Sequence, residues 1–129
     1  MALNHKHILV NGTCRKPLTS ELETENWFYR LVYAVGMKIA IDPKAKYVSK
    51  EGNEGITGTC CIETSHTSIH FWDKAKPQYF RFDLYSCDDF DPKVVMNLIK
   101  EFDPIETHYV LLDRNHDITP VTQQWDKYD

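Results

Sequence analysis

One run of eighteen residues, Gly55 to Trp72, constrains the fold of this chain more than any other. It reads GITGTCCIETSHTSIHFW and mixes β-branched residues with two cysteines, a carboxylate, several hydroxyl side chains and two histidines. β-branched residues favour strands, so the run predicts two neighbouring strands. Buried polar side chains need hydrogen-bonding partners, and so many of them within strand-forming sequence indicate a functional site.

Composition bounds the class of protein. The chain has 129 residues, of which 42% are hydrophobic and 26% are charged, as expected for one globular domain with its own core. A net charge of −4 offers no basic surface for a phosphate backbone, so nucleic acid is not an expected partner. The sequence has no apolar run of transmembrane length and no signal-peptide pattern at its start. We expect a cytoplasmic protein that does not bind a membrane.

Periodicity along the chain predicts an α+β fold. Apolar residues recur at helical spacing from Trp27 to Val35, and a second apolar stripe follows the helix start at Asp91-Pro92. Tyr79 to Cys87 alternates between apolar and polar residues, as a half-buried strand does. The order β-α-β-β-β-α-β predicts a two-layer sandwich, one mainly antiparallel sheet with two helices on one face. We expect one domain over residues 1–114 and a loosely ordered, polar C-terminal tail over 115–129.

The spacing of the two histidines bears on metal binding. His66 and His70 would share one face of a helix, but in a strand they lie about 13 Å apart at roughly 3.3 Å per residue. One metal ion could not bind both, and the four cysteines form no C-x-x-C pair, so no metal site is predicted. On a strand, His66, Ser68 and His70 instead share one face. Antiparallel pairing with the next strand could place a histidine and Cys87 beside one pocket, an arrangement typical of acid–base chemistry.

This run and the strand YFRFDLYSC that follows it resemble the short bacterial and archaeal class of S-adenosylmethionine decarboxylases. That family carries a G-x-S-G turn, an apolar strand, the motif E-S-H-x-[TS]-I-H-x-W, and a strand ending D-[VL]-[YF]-[TS]-C. The resemblance covers most of residues 5–114 and implies an α+β sandwich that pairs into homodimers. The matching positions are Gly58, Ser65, His66, Ser68, Ile69, His70, Trp72, Asp83, Leu84, Tyr85, Ser86 and Cys87.

The resemblance also implies how a catalytic group arises. Members of the family cut their own chain before the serine that matches Ser65: its hydroxyl attacks the preceding carbonyl and forms an ester. β-Elimination from the ester and hydrolysis of the resulting dehydroalanine, with loss of ammonia, then leave a pyruvoyl group. The ketone of that group accepts electrons as carbon dioxide leaves the substrate, the role of pyridoxal phosphate in other enzymes. The implied function is decarboxylation of S-adenosylmethionine for spermidine and other polyamine biosynthesis, after cleavage between Thr64 and Ser65.

Position by position, the resemblance assigns roles to individual side chains. Ser65 is the pyruvoyl precursor, and His70 removes a proton from the ester intermediate. Cys87 protonates the carbanion that decarboxylation leaves. Thr57 takes the place of a family serine that assists processing, so its hydroxyl is the conservative replacement.

The residue before the cleavage position leaves alternatives open. The family has a glutamate there, whereas this chain has Thr64 and carries a carboxylate, Glu63, one position earlier. Thr64 therefore counts among the processing residues and Glu63 is the candidate substrate-binding residue. One alternative is a pyruvoyl-dependent decarboxylase of arginine or ornithine. The other is an unprocessed, non-catalytic relative that acts as a ligand-binding or regulatory subunit.

Overall fold

A computed structural model describes residues 3–129 as one sheet covered by two helices. The strands of these residues lie in the order β2-β3-β4-β5-β1-β6-β7, and each neighbouring pair is antiparallel. A short 3-10 turn, Lys100–Phe102, follows the second helix. The elements along the chain are β1 (Lys6–Cys14), α1 (Glu21–Ala34), β2 (Ile39–Val48), β3 (Gly55–Ile62), β4 (Ser65–Trp72), β5 (Tyr79–Ser86), α2 (Pro92–Ile99), β6 (Pro104–Asp113) and β7 (Thr119–Lys127).

Both helices begin at side chains that satisfy free backbone N–H groups. Ser20 Oγ accepts a hydrogen bond from the Glu23 amide at 3.2 Å, and Asp91 Oδ1 accepts one from the Lys93 amide at 2.9 Å. Gly36, at φ +76°, ends α1 in a conformation that costs glycine little. The boundaries of both helices thus follow from local sequence.

The core lies between the two helices and one face of the sheet. Trp27 of α1 is fully buried and packs edge-on against Phe82 of β5, with ring centroids 5.7 Å apart. Its indole N–H donates to the Leu98 carbonyl of α2 at 3.2 Å, so one side chain joins both helices to the sheet. The predicted two-layer α+β sandwich, with both helices on one face, is confirmed. The central strands contribute Ile8, Val10, Ile69, Phe71, Phe80, Phe82 and Leu84 to this core.

The prediction of a loosely ordered tail after residue 114 is wrong. Thr119–Lys127 forms β7, which pairs with β6 at the edge of the sheet. Trp125 of β7 stacks on His108 of β6 with ring centroids 4.3 Å apart and planes inclined by 3°. The sequence does not predict β7 because most of its side chains are exposed, so the segment lacks the alternation of a half-buried strand.

Neither helix covers the second face of the sheet, which we call the open face. Side chains alternate across a strand, so the residues between the core positions of β1 and β3 to β6 point there. They are mainly polar and half-buried or exposed. No helix within residues 3–129 is long and apolar enough to cross a membrane. The open face includes His7, Thr57, His66, Ser68, His70, Arg81, Asp83, Tyr85 and His108.

Candidate active site

The turn between β3 and β4 presents the Thr64–Ser65 peptide bond at one end of the sheet. Glu63 and Thr64 form a two-residue turn, and Ile62 pairs with Ser65. Such tight turns favour Gly, Asn or Asp, none of which is present here. Ser65 has a φ of +148°, a conformation that costs a residue with a Cβ on the order of 1–3 kcal/mol. The Thr64–Ser65 peptide bond is therefore the amide bond of a strained residue.

Hydrogen bonds hold both sides of this peptide bond. The Ser65 hydroxyl lies 2.9 Å from His66 Nδ1, and the Thr64 carbonyl oxygen accepts a hydrogen bond from the Cys87 amide at 2.9 Å. The Thr64 hydroxyl accepts a hydrogen bond from the fully buried Ser86 hydroxyl at 2.8 Å. A hydroxyl beside a base and a carbonyl beside an N–H donor are the arrangement that acyl transfer needs.

His70 of β4 and Thr57 of β3 lie farther from the turn, directly opposite each other across the β3–β4 ladder. The His70 ring contacts that of Trp72, with centroids 4.2 Å apart, and Trp72 stacks on Tyr79 at 4.6 Å. Burial lowers the pKa of His70, and a hydrogen bond with the Asn53 backbone opposes that shift. His70 Nε2 is buried, and no polar atom of residues 3–129 is its hydrogen-bond partner. This environment favours the neutral imidazole, the form that can accept a proton.

The six residues that the sequence assigns to the site thus form two groups. One group surrounds the β3–β4 turn, and the other lies on the open face. From Ser65 to His70 the path along β4 is about 16 Å at roughly 3.3 Å per residue. Within one chain, His70 is too far from Ser65 to act on it. The first group is Glu63, Thr64, Ser65 and Cys87, and the second is Thr57 and His70.

The register of β4 and β5 decides which histidine lies toward Cys87. His70 pairs with Arg81, whereas Ser65 pairs with Ser86, and Cys87 follows directly. The expectation that a histidine and Cys87 border one pocket can therefore hold only at the His66 end of β4. It does not hold for His70.

Sequence reasoning missed a charged network on the open face. Asp83 accepts hydrogen bonds from Ser68 at 2.5 Å and from His7 Nε2 at 2.9 Å, and Arg114 donates to His7 Nδ1 at 3.2 Å. A guanidinium can only donate, so His7 Nδ1 accepts and the His7 proton lies on Nε2. Burial acts to raise the pKa of Asp83, but the hydrogen bonds from His7 and Ser68 lower it below its ordinary value of 3.8. The available signal was the position of Asp83 on the polar side of the alternating strand β5.

Residues 3–129 contain no cluster of three or more His, Cys, Asp or Glu side chains placed to hold a metal ion. His66 and His70 both lie on β4, four residues apart, as the strand interpretation requires.

Comparisons with known proteins identify the family. The family model described as S-adenosylmethionine decarboxylase matches residues 6–115, so the chain belongs to that family. Its length of 129 residues is consistent with the short class. Among solved structures, the adenosylmethionine decarboxylase from Aquifex aeolicus VF5 is similar, with a TM-score of 0.69 and 16% sequence identity over 98% of this chain and 100% of that chain. This likeness supports the fold. No match is found among curated proteins.

Proposed function

We propose that this chain is a pyruvoyl-dependent S-adenosylmethionine decarboxylase that cleaves itself between Thr64 and Ser65. The observation that carries the proposal is the geometry of that bond. Ser65 is strained, its hydroxyl lies within hydrogen-bond distance of His66, and the preceding carbonyl accepts a hydrogen bond from the Cys87 amide. Membership of the family supports both the enzyme class and the substrate. The decarboxylated product would supply aminopropyl groups for spermidine biosynthesis.

The residues at the turn fit a pyruvoyl group derived from Ser65. Its formation needs a hydroxyl next to a polarised carbonyl, and the hydrogen bonds at Ser65 and Thr64 supply that pair. Once formed, the group supplies an electron-accepting ketone for loss of carbon dioxide. The half-buried Cys87 lies beside this position and would return a proton to the substrate carbon. Glu63, exposed in the turn, is the candidate carboxylate for binding the cationic substrate.

We propose that the enzyme is a homodimer and that a second copy brings His70 to Ser65. The two groups of site residues are too far apart within one chain, and in the described part of the chain, residues 3–129, no helix lies over the polar open face. If two copies pack through their open faces about a two-fold axis that runs across the strands, the Ser65 end of one faces the His70 end of the other, and the reverse also holds. His70 and Thr57 would then complete the site in which the ester is processed.

Intact mass of the purified protein tests self-cleavage. Cleavage yields two chains, residues 1–64 and 65–129, the second lighter by one ammonia than a chain that starts with serine. A single uncut chain after long incubation would overturn the proposal and favour the non-catalytic relative.

Release of carbon dioxide from carboxyl-labelled S-adenosylmethionine, compared with labelled arginine and ornithine, then identifies the substrate. Release of carbon dioxide from arginine or ornithine alone would mean that the substrate is a basic amino acid, while the proposed pyruvoyl group would still stand.

A further inference from the structure

We propose that His66 is the general base for cleavage of the Thr64–Ser65 bond and that the Cys87 backbone amide stabilises the oxyanion formed on the way. The inference rests on the proposed self-cleavage and deepens it. It assigns the first step to residues of a single chain, whereas His70 would serve a later step from a second copy.

The position of the His66 ring supports this role. Its Nδ1 lies 2.9 Å from Ser65 Oγ, within the distance at which a proton can transfer. The ring contacts Tyr85 edge-on, with centroids 5.8 Å apart. Tyr85 is held in turn by His5 Nδ1, 2.6 Å from its hydroxyl, and by the Arg114 guanidinium, 4.4 Å from its ring centroid. The imidazole is thus oriented toward the serine by a supported neighbour.

The proposed step is an N-to-O acyl shift. Ser65 Oγ gives its proton to His66 Nδ1 and forms a bond to the Thr64 carbonyl carbon, while the π electrons move onto the carbonyl oxygen. The Cys87 amide, 2.9 Å from that oxygen, stabilises the negative charge. When the carbonyl re-forms, the carbon–nitrogen bond breaks and the leaving amine takes the proton back from His66.

This shift balances without a co-reactant. The product is an ester between Thr64 and the Ser65 oxygen, with a free amine on Ser65. The strained φ of +148° belongs to Ser65, whose amide bond to Thr64 breaks in this step. Breaking that bond releases the strain and so favours the ester. Elimination from the ester and hydrolysis by water come later and need a base at the Ser65 α-carbon.

The experiment compares cleavage rates of His66→Asn, His66→Ala and the control His116→Ala, which removes another exposed histidine. Asn offers an oxygen near the position of Nδ1, so it can accept the hydrogen bond from Ser65 but cannot take up the proton. We expect His116→Ala to match the wild type and both His66 variants to slow cleavage by about 100-fold or more, as for loss of a general base. Because His66 is exposed, added imidazole should restore part of the rate of His66→Ala.

Hydroxylamine cleaves esters, so it shows whether a variant stops before or after the ester between Thr64 and Ser65 has formed. Thr64 should appear as a hydroxamate in His70→Ala, where the ester accumulates, and not in His66→Ala, where it does not form. Wild-type rates in His66→Asn would show that His66 only orients the serine and would overturn the inference. So would ester accumulation in His66→Ala. Both outcomes leave self-cleavage intact, whereas a wild-type chain that stays uncut overturns the proposed function as well.

Discussion

His7 of β1 and Asp83 of β5 are joined by a 2.9 Å hydrogen bond on the open face. Ser68 of β4 donates to the other carboxylate oxygen, so the Asp83 side chain links three adjacent strands. That side chain is 25% exposed, and solvent screens its bonds only in part. A carboxylate held by two donors stabilises the fold while it is charged.

Replacement of Asp83 by Asn is expected to lower the free energy of unfolding at neutral pH by about 1–3 kcal/mol, because hydrogen bonds to a charged group are lost. The folded-state pKa of Asp83 lies below 3.8, so its contribution is present above that value and is lost as the pH falls through the folded-state pKa. Asp83→Asn should lack this part of the acid dependence. Denaturant unfolding over that pH range, in a Ser65→Ala background that cannot cleave, measures the effect. The exposed Asp117→Asn is the control, and equal acid dependence in all three chains would contradict the prediction.

Strain at Ser65 predicts an unusual order of stability between two uncut variants. Ser65→Gly should be more stable than Ser65→Ala by about 1 kcal/mol, because glycine removes a penalty of about 1–3 kcal/mol at φ +148° and loses about 0.5–1 kcal/mol in backbone entropy. At Ser68, in regular strand, the order should reverse when both variants also carry Ser65→Ala, so that all four chains stay uncut. Unfolding curves of the four variants test this. The same order at both positions would mean that Ser65 is not strained.

Gly55 is required where β3 begins beside the end of β4. Its φ is +150°, and an added Cβ would overlap the Phe71 carbonyl oxygen and lie 3.3 Å from Trp72 Cα. Gly55→Ala must therefore push the two strands apart and should prevent stable folding. Gly52→Ala is the matched control: its φ is +84° and nothing lies within 4 Å, so it should cost only about 1–2 kcal/mol. Thermal unfolding compares them, and equal melting temperatures would contradict the packing argument.

Replacement of the Cys87 thiol should leave self-cleavage of the chain intact but slow decarboxylation of the substrate. Cys87→Ala keeps the backbone amide that holds the Thr64 carbonyl, so we expect the chain to be cut. Without the thiol, however, decarboxylation should fall by about 100-fold or more, as for loss of a general acid. Intact mass measures the first step and carbon dioxide release the second. Cys61→Ala, which removes a half-buried thiol on β3, should leave both unchanged. Full activity in Cys87→Ala would remove the thiol from the mechanism.

The helices and central strands could be predicted because the signals that define them are local. In β5, Phe80, Phe82 and Leu84 alternate with polar residues, and all three are buried as that period requires. The edge strand β7 could not be predicted in this way. Val121 and Trp125 are exposed, so no buried face imposes a pattern on its sequence.

The sequence by itself determined that Ser65 follows Thr64 and precedes His66, and that His66 and His70 share one face of a strand. Chain order and a period of two are enough for both. Only the tertiary structure decided that the Cys87 amide meets the Thr64 carbonyl, because this contact depends on the register of β4 against β5. The same register places His70 opposite Arg81, away from Ser65. A period of two fixes only the face on which a side chain lies, so a shift of β4 against β5 by two residues would keep every face and change every partner. The register therefore depends on the packing of the buried side chains and on the geometry of the turn between the two strands, residues 73–78.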